Sequence, residues 1–156
     1  MSTLVYTGYT ASNAFSPRGS ILAYQLANSL GYTPISELSQ MDFSGQKLDL
    51  ADVTNYEGGI FKEWLATLLD SGDITYKGNF IPSDVTQAQI LEYFNTATRV
   101  EWYLQLPINP LTSLPYGHFT FNGFVSELSW QLPIDKQAMI VGKIKITGAI
   151  SYTSGS

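Results

Sequence analysis

Residues 99–106 read Arg-Val-Glu-Trp-Tyr-Leu-Gln-Leu, and apolar and polar side chains alternate along this stretch. Val100, Trp102 and Leu104 share one parity, whereas Glu101 and Gln105 share the other. Such alternation is typical of an antiparallel strand with one buried face. The same period of two recurs in residues 73–80 and 143–150, and a long aromatic strand is expected over residues 118–130. The pattern therefore predicts a mainly β fold, an antiparallel β-sandwich or barrel.

Two segments predict helices beside these strands, which makes the expected class α+β. The apolar side chains of residues 60–69 follow the spacing of one wide helical face, and Gly72 follows as a candidate left-handed cap. The second helix is shorter and is expected over residues 85–95. Asp84 precedes it and Gln87 stands three residues later, a capping-box pattern. We therefore expect one flanking helix and a second short one.

The amino-terminal part predicts an arm and a protruding hairpin. Residues 1–20 are rich in Ser, Thr, Gly and Asn and predict an extended arm, and residues 21–27 predict the first strand. Residues 34–43 and 47–53 predict a hairpin that turns at Ser44 and Gly45 and leaves the domain body. The expected organisation is residues 1–33 as arm and first strand, and residues 34–156 as one β-domain.

The composition favours a protein that contacts other protein. Only 13% of the 156 residues are charged and another 13% are aromatic, whereas soluble domains carry roughly 25% charged residues. Interfaces are depleted in charge and rich in aromatic side chains. A solitary β-domain with Ser and Thr on its surface is the alternative. The net charge of −5 argues against binding to phosphate backbones.

The residues that catalysis and metal binding require are few. The chain has no Cys and one His, His118, and it has no nucleophile elbow or phosphate-binding loop. Paired carboxylates occur at Asp49 and Asp52 and at Asp70 and Asp73, so a glycosidase stays an alternative. Asp49 and Asp52 have opposite parity on a strand, which separates them. We expect no catalytic, cofactor-binding or metal-binding residues and no enzymatic activity.

The sequence shows no segment for export or membrane insertion. Its first residues lack a basic segment followed by an apolar run, and no apolar stretch is long enough to span a membrane. We expect a protein that is made in a cytoplasm and does not associate with a membrane.

An ordered series of short segments resembles the major tail tube proteins of siphophages, the phages with long non-contractile tails. Leu-Asp-Leu-Ala-Asp-Val-Thr at 48–54 is followed by Tyr-Glu-Gly-Gly-Ile-Phe-Lys-Glu-Trp at 56–64 and Asp-Ser-Gly-Asp-Ile-Thr-Tyr-Lys-Gly-Asn-Phe at 70–80. Residues 82–94 resemble the family's second helix, Phe-Asn-Gly-Phe-Val at 121–125 its glycine-containing strand, and residues 144–150 its closing strand. The likeness covers most of residues 34–152.

The resemblance implies a structural virion protein without a cofactor. Members form hexameric rings that stack into a hollow tube, each subunit continuing its neighbour's sheet, and DNA passes through the lumen without specific binding. Expected partners are identical subunits, a tape-measure protein, a tail terminator and baseplate proteins, with assembly in the host cytoplasm. Stacking would use the amino-terminal arm and residues 43–59. The inter-ring or lumen candidates are Glu37, Asp42, Asp49, Asp52, Asn55 and Tyr56.

Two other functions remain open at this point. Tail terminators, baseplate tube initiators and secretion-system tube proteins have a fold similar to that of tail tube proteins but differ in function. A small carbohydrate-binding β-domain would use Trp102, Trp130 and several tyrosines as a stacking platform. The parity of Trp102 points it into the core, which counts against such a platform.

Overall fold

The computed structural model describes residues 15–25, 31–55, 57, 59 and 61–155. The first 14 residues, which include most of the expected arm, lie outside the described part. The described elements are one helix and nine strands, in the order β1 (Ile21–Gln25), β2 (Tyr32–Pro34), β3 (Leu38–Phe43), β4 (Lys47–Asp52), β5 (Trp64–Asp70), β6 (Asp73–Asn79), α1 (Val85–Asn95), β7 (Val100–Gln105), β8 (Gly117–Gln131) and β9 (Met139–Ser154). The predicted mainly β, antiparallel class is confirmed.

Seven strands form one antiparallel sheet in the order β2-β1-β7-β8-β9-β6-β3. Its two longest strands, β8 and β9, pair with register shifts between Thr120 and Asn122 and between Val125 and Glu127. Such bulges bend a sheet and increase its twist. The Phe43 ring on β3 lies 6.1 Å from that of Phe119 and 6.3 Å from that of Phe121 on β8. Because β3 and β8 stand three places apart in the sheet, these contacts show that it curls around its core.

The core lies on the face that the alternating pattern predicts. Val100, Trp102 and Leu104 are buried, and the Nε1 of Trp102 donates a hydrogen bond of 3.2 Å to the carbonyl oxygen of Gly123. The remaining core side chains come from β1, β6, α1, β8 and β9 and from the segment before β3; they include Leu22, Tyr24, Ile35, Ile74, Tyr76, Ile90, Tyr93, Phe121, Val125, Ile144 and Ile146. The strands predicted from periodicity over residues 73–80, 99–106, 118–130 and 143–150 are all present.

Helix α1 packs against this core and is the predicted second helix. Asp84 caps it by accepting a hydrogen bond of 2.8 Å from the backbone N–H of Thr86. Gln87 does not complete the capping box. Its buried amide instead accepts from the N–H of Ile81 (2.9 Å) and donates to the carbonyl of Asn79 (2.7 Å). Gln87 therefore ties the helix to the end of β6.

The helix predicted over residues 60–69 is wrong. Trp64–Asp70 is strand β5, which pairs with β4 in a separate two-stranded sheet. Leu and Ala favour helices, and an apolar run of this length also fits a strand whose faces are both apolar. Pairing with β4 decides between the two. Gly72 has the positive φ of 81° expected of it, but it lies at a bend between two strands instead of ending a helix.

The hairpin predicted between residues 34–43 and 47–53 is also wrong. β3 pairs with β6, and β4 pairs with β5. Phe43 is opposite Ile74 and Lys47 is opposite Asp70, so the two pairs keep one register through the break between them. Together they form one long hairpin, bent where Ser44 and Gly45 face Asp73 and Gly72. Its outer part, strands β4 and β5 with the described residues of the loop that joins them, is called the assembly hairpin below.

Candidate assembly interface

The assembly hairpin exposes large apolar side chains along its whole length. Every residue of β5 is exposed, and the apolar side chains of the hairpin keep 45–78% of their surface accessible. They are Leu48, Leu50, Val53, Phe61, Trp64, Leu65, Leu68 and Leu69. An isolated two-stranded hairpin is marginally stable at best in water. A contiguous apolar surface on such an element marks a site of contact with other protein.

Side-chain hydrogen bonds order the outer end of the assembly hairpin. The carboxylate of Asp52 accepts hydrogen bonds from the backbone N–H (3.0 Å) and the hydroxyl (2.6 Å) of Thr54. These bonds hold the pKa of Asp52 below its ordinary value. The Thr54 hydroxyl in turn accepts a bond of 2.9 Å from the N–H of Glu63 across the hairpin. The end of the hairpin is therefore tied together although its side chains are exposed.

The root of the assembly hairpin is a tightly packed bend. The N–H of Ser44 donates to the carbonyl of Asp73 (2.9 Å), and the N–H of Asp73 donates to the hydroxyl of Ser44 (2.6 Å). Gly45 and Gly72 have φ of 84° and 81°, values that favour glycine. A Cβ on Gly72 would lie 2.2 Å from the carbonyl oxygen of Gly45. The bend therefore requires glycine at position 72.

Charged side chains join the same bend to the sheet. The ammonium of Lys145 on β9 lies 3.2 Å from a carboxylate oxygen of Asp70 on β5 and 3.5 Å from one of Asp73 on β6. Lys143 lies 3.5 Å from the other oxygen of Asp73. Hydrogen bonds from the Gly72 N–H and from Lys145 lower the pKa of Asp70, and the bond to Asp70 raises the pKa of Lys145. Four charges on three strands therefore surround the root of the hairpin.

Two of the open strand edges in the described part of the sheet border the same four strands. β3 ends the sheet order and has a partner on one side, β6. β7 reaches only as far as the pair between Val100 and Gly123, so no described strand pairs with residues 124–131 of β8 on the side away from β9. The four strands β8, β9, β6 and β3 therefore form a half-sheet that is open at both sides. Open edges are templates for pairing with another chain.

The outward face of this half-sheet carries charges of both signs. Asp42 is opposite Thr75, Thr75 is opposite Lys143, and Lys143 is opposite Glu127, so these side chains form one row across four strands. Asp42 is exposed and accepts a bond of 2.8 Å from the side-chain amide of Gln40. The row is mixed in sign and is not a purely acidic surface.

The predicted inter-ring and lumen residues do not form one cluster. Asp49, Asp52 and Asn55 lie on the assembly hairpin, and Asp42 lies on β3. Glu37 lies at the other end of β3, where it has a φ of 63° and accepts a bond of 3.1 Å from the side-chain amide of Asn79. Tyr56 lies outside the described residues. The described residues of the predicted set therefore lie in two separate regions, the assembly hairpin and strand β3 with the residue before it.

Exposed apolar residues at the two ends of the sheet escaped prediction. Leu111, in the loop between β7 and β8, is 92% exposed, and Ile134, in the turn between β8 and β9, is fully exposed. These connections lie at opposite ends of β8. The root of the hairpin bonds to β9 at Ile146 and Gly148, towards the same end as the loop that holds Leu111. Single apolar residues in Pro-containing loops carry no periodic signal, which is why the sequence did not reveal them.

Two candidates for chemistry or ligand binding, His118 and Trp102, lie in packed surroundings. His118 stacks on Tyr103 with ring centroids 4.8 Å apart, and Trp102 is fully buried. In residues 15–25, 31–55, 57, 59 and 61–155, no group of three or more His, Cys, Asp and Glu side chains is placed to hold a metal ion. No helix within these ranges is long and apolar enough to cross a membrane.

The architecture matches solved components of tubular injection machines. The chain superposes with TM-score 0.73 on a component of the anti-feeding prophage baseplate, at 12% identity over 93% of this chain and 98% of that one. It superposes with TM-score 0.71 on a tail component of a gene transfer agent, at 19% identity over 90% of this chain and all of the other. The chain has the tail-tube fold. The SPP1 tail tube matches at 7% identity and TM-score 0.68, over 90% of this chain and 80% of that chain.

No protein-family model matches the chain, and no curated protein matches it. The similarity to these structures is one of fold, at identities of 12%, 19% and 7%. The expected resemblance is therefore confirmed for the fold, and it extends to gene transfer agents and contractile injection systems as well as phage tails.

Proposed function

We propose that this chain is a structural virion protein, the major tail tube subunit of a phage with a long non-contractile tail. Hexameric rings of the subunit stack into a hollow conduit through which phage DNA is ejected. The assembly hairpin carries the proposal, because it exposes eight large apolar side chains, six of them on its two strands and two, Val53 and Phe61, in its outer loop. A subunit that stays solitary gains nothing from that surface. Contact with an adjacent ring buries it.

The two open edges of the half-sheet support closure into rings. The edge of β3 in one subunit would pair with residues 124–131 of β8 in the next, so that each half-sheet continues its neighbour's. A contact between two different edges is head-to-tail, and such contacts close into a ring when the rotation allows it. Closure removes open edges and so prevents uncontrolled pairing.

The ends of the subunit support stacking of one ring on the next. The assembly hairpin leaves the sheet towards one end, and the apolar turn that holds Leu132 and Ile134 lies at the other. A hairpin from one ring would meet that turn in its neighbour. Asp49, Asp52 and Asn55 belong to the proposed inter-ring set because they lie on the hairpin or in its outer loop. Glu37 joins them as a contact from the opposite end of β3. Tyr56, which lies outside the described residues, stays in the set because the sequence resemblance places it there.

The outward face of the half-sheet is the proposed lumen wall. The row of Asp42, Thr75, Lys143 and Glu127 is polar, and α1 packs on the core side of the sheet. Because this row combines two carboxylates with a single ammonium group, a passing phosphate meets no single-sign basic surface to which it would adhere. DNA therefore slides without specific binding. The proposed partners are identical subunits, a tape-measure protein, a tail terminator and baseplate proteins, and the location is the virion tail.

Removal of the assembly hairpin tests the proposal. Deletion of residues 46–70 joins Gly45 to Ser71 and leaves Phe43 opposite Ile74, so the sheet keeps its pairing. We expect a folded subunit that keeps a β-sheet spectrum in far-ultraviolet circular dichroism and a cooperative unfolding transition, but forms no tubes in negative-stain electron microscopy. Tubes of normal diameter from the deleted protein would contradict the proposal.

A pair of point substitutions serves as a gentler test. Leu68→Lys with Leu69→Lys places two charges on side chains that are 71% and 78% exposed, so folding should be unaffected. Burial of two unpaired ammonium groups at a ring-to-ring contact should abolish tubes. The matched control is Ala88→Lys, on the exposed side of α1, which should assemble as the parent does.

A related function on the same fold is the second candidate. The similar structures include a component of the anti-feeding prophage baseplate and its tube-terminating cap. A terminator or tube initiator would stop at single rings at high protein concentration, whereas a tube subunit grows filaments. Electron microscopy of the concentrated protein separates the two.

A further inference from the structure

The most distinctive unassigned feature is the charged bend at the root of the assembly hairpin, and the inference drawn from it rests on the proposed function. The hairpin keeps one register from β3 and β6 into β4 and β5, yet the two parts belong to different sheets. The bend between them is therefore a defined change of direction within one continuous hairpin. Its angle decides where the exposed apolar side chains point.

Steric packing excludes most other shapes for this bend. Gly72 has no room for a Cβ, since the carbonyl oxygen of Gly45 and the hydroxyl of Ser44 lie 2.2 and 2.6 Å from that position. The N–H of Ile146 donates a bond of 3.1 Å to the carbonyl of Gly72, and the Ser71 hydroxyl donates to the carbonyl of Gly148. Both strand β9 and the opposite arm of the hairpin thus contact the bend.

Lys145 joins the two sides of the bend. Its ammonium contacts Asp70, the last residue of β5, and Asp73, the first residue of β6. Asp70 also accepts a bond of 2.9 Å from the N–H of Gly72. A rotation of the hairpin about Ser71 and Gly72 would pull Asp70 away from Lys145 while Asp73 stayed in the sheet. The lysine therefore opposes rotation directly.

We propose that Lys145 is a positioning residue that holds the assembly hairpin at a preset angle in the free subunit, ready for the adjacent ring. A hairpin already held in its bound direction loses less conformational entropy when it docks. Single exposed ion pairs contribute little, but a network of several charges contributes more. The lysine acts through the angle of the hairpin and needs no contact with the neighbouring ring.

The test measures the angle without assembly. In the Leu68→Lys, Leu69→Lys background, spin labels on Ala66→Cys in β5 and Ala88→Cys on α1 report the hairpin-to-body distance; the chain has no other Cys. We expect a narrow distance distribution, a broad one with Lys145→Met and a narrow one with Lys145→Arg. Arg99→Met, which removes an exposed positive charge elsewhere, should leave the distribution narrow. An equally narrow distribution with Lys145→Met overturns the inference.

The effect on tubes is measured separately, without the spin labels and with Leu68 and Leu69 restored. Lys145→Met should raise the critical concentration for tube growth several-fold, because a hairpin that is no longer held in its bound direction loses more conformational entropy when it docks. Lys145→Arg and Arg99→Met should leave it unchanged. If the parent forms no tubes, the proposed function fails while the distance measurement still decides the inference. If the parent forms tubes and Lys145→Met leaves the distance distribution as narrow as before, the inference fails and the proposed function stands.

Discussion

The ring of Tyr76 lies directly over Gly142 in the centre of the core. A Cβ on Gly142 would come within 2.3–2.5 Å of that ring, so a glycine here makes room for a large aromatic side chain on the adjacent strand. The Tyr76 hydroxyl is buried and has no hydrogen-bond partner in the described part of the chain. Burial accordingly raises the pKa of Tyr76 far above its ordinary value.

Replacement of this hydroxyl should therefore not harm the fold. We expect Tyr76→Phe to leave the free energy of unfolding equal or up to about 1 kcal/mol higher, because a buried unpaired donor is removed and the ring stays. Urea denaturation at neutral pH measures it, with Tyr152→Phe, 52% exposed, as the neutral control. A loss of more than about 1 kcal/mol would mean that the hydroxyl has a partner.

The stability of Tyr76→Phe should also differ from that of the parent protein in its dependence on alkaline pH. The folded pKa of Tyr76 is raised above 10.0, so the folded state holds this proton more tightly than the unfolded chain. Its contribution to stability is complete below pH 10 and is lost as the pH rises above that value. The free energy of unfolding should fall less steeply above pH 10 in Tyr76→Phe. Some fall remains, because the pKa values of Tyr24, Tyr32, Tyr93 and Lys145 are raised too.

Among the secondary-structure elements, α1 was predicted correctly from local sequence signals, whereas β5 was not. The cap at Asp84 was a short-range signal and was confirmed, because a helix start needs only the residues next to it. Trp64–Asp70 carries strong helix formers, yet it is a strand because the partner strand β4 and the continuing register from β6 outweigh them. A propensity of tenths of a kcal/mol per residue yields to pairing along a whole strand.

Asp84→Ala should weaken the cap of α1. Burial opposes ionisation of this carboxyl, but the hydrogen bonds from Thr86 hold its pKa below the ordinary value. The substitution should lower the free energy of unfolding by about 1 kcal/mol at neutral pH, and the difference from the parent should shrink as acid protonates Asp84. Thermal denaturation at pH 7 and in acid measures the loss of stability and its dependence on pH. Asp84→Asn, which keeps the cap, is the control. Equal stability of the Ala and parent proteins at pH 7 would show that the cap contributes nothing.

For the molecule as a whole, the proposed ring joins β3 to residues 124–131 of the next subunit. The chain has no Cys of its own. Replacing Ser39 and Ser129 by Cys therefore places one thiol on each of the two strand edges that are proposed to pair. A bifunctional thiol cross-linker should then yield a ladder of oligomers that ends at six subunits, seen by denaturing electrophoresis. Cysteines at Ser39 and Ala88 form the control and should not produce the ladder. A ladder from the control, or dimers alone from the edge pair, would argue against this arrangement.

The sequence by itself determined the mainly β class, five of the core strands, helix α1 with its cap, the burial of Trp102 and the ordered segments that resemble tail tube proteins. All of these depend on periodicity or on neighbouring residues. Only the tertiary structure decided that residues 64–70 form a strand, that β3 pairs with β6, and which edges stay open. Strands that are distant in sequence compete for the same edges, and the most stable pairing depends on all of them together. The hydrophobic pattern within one segment carries no information about that competition.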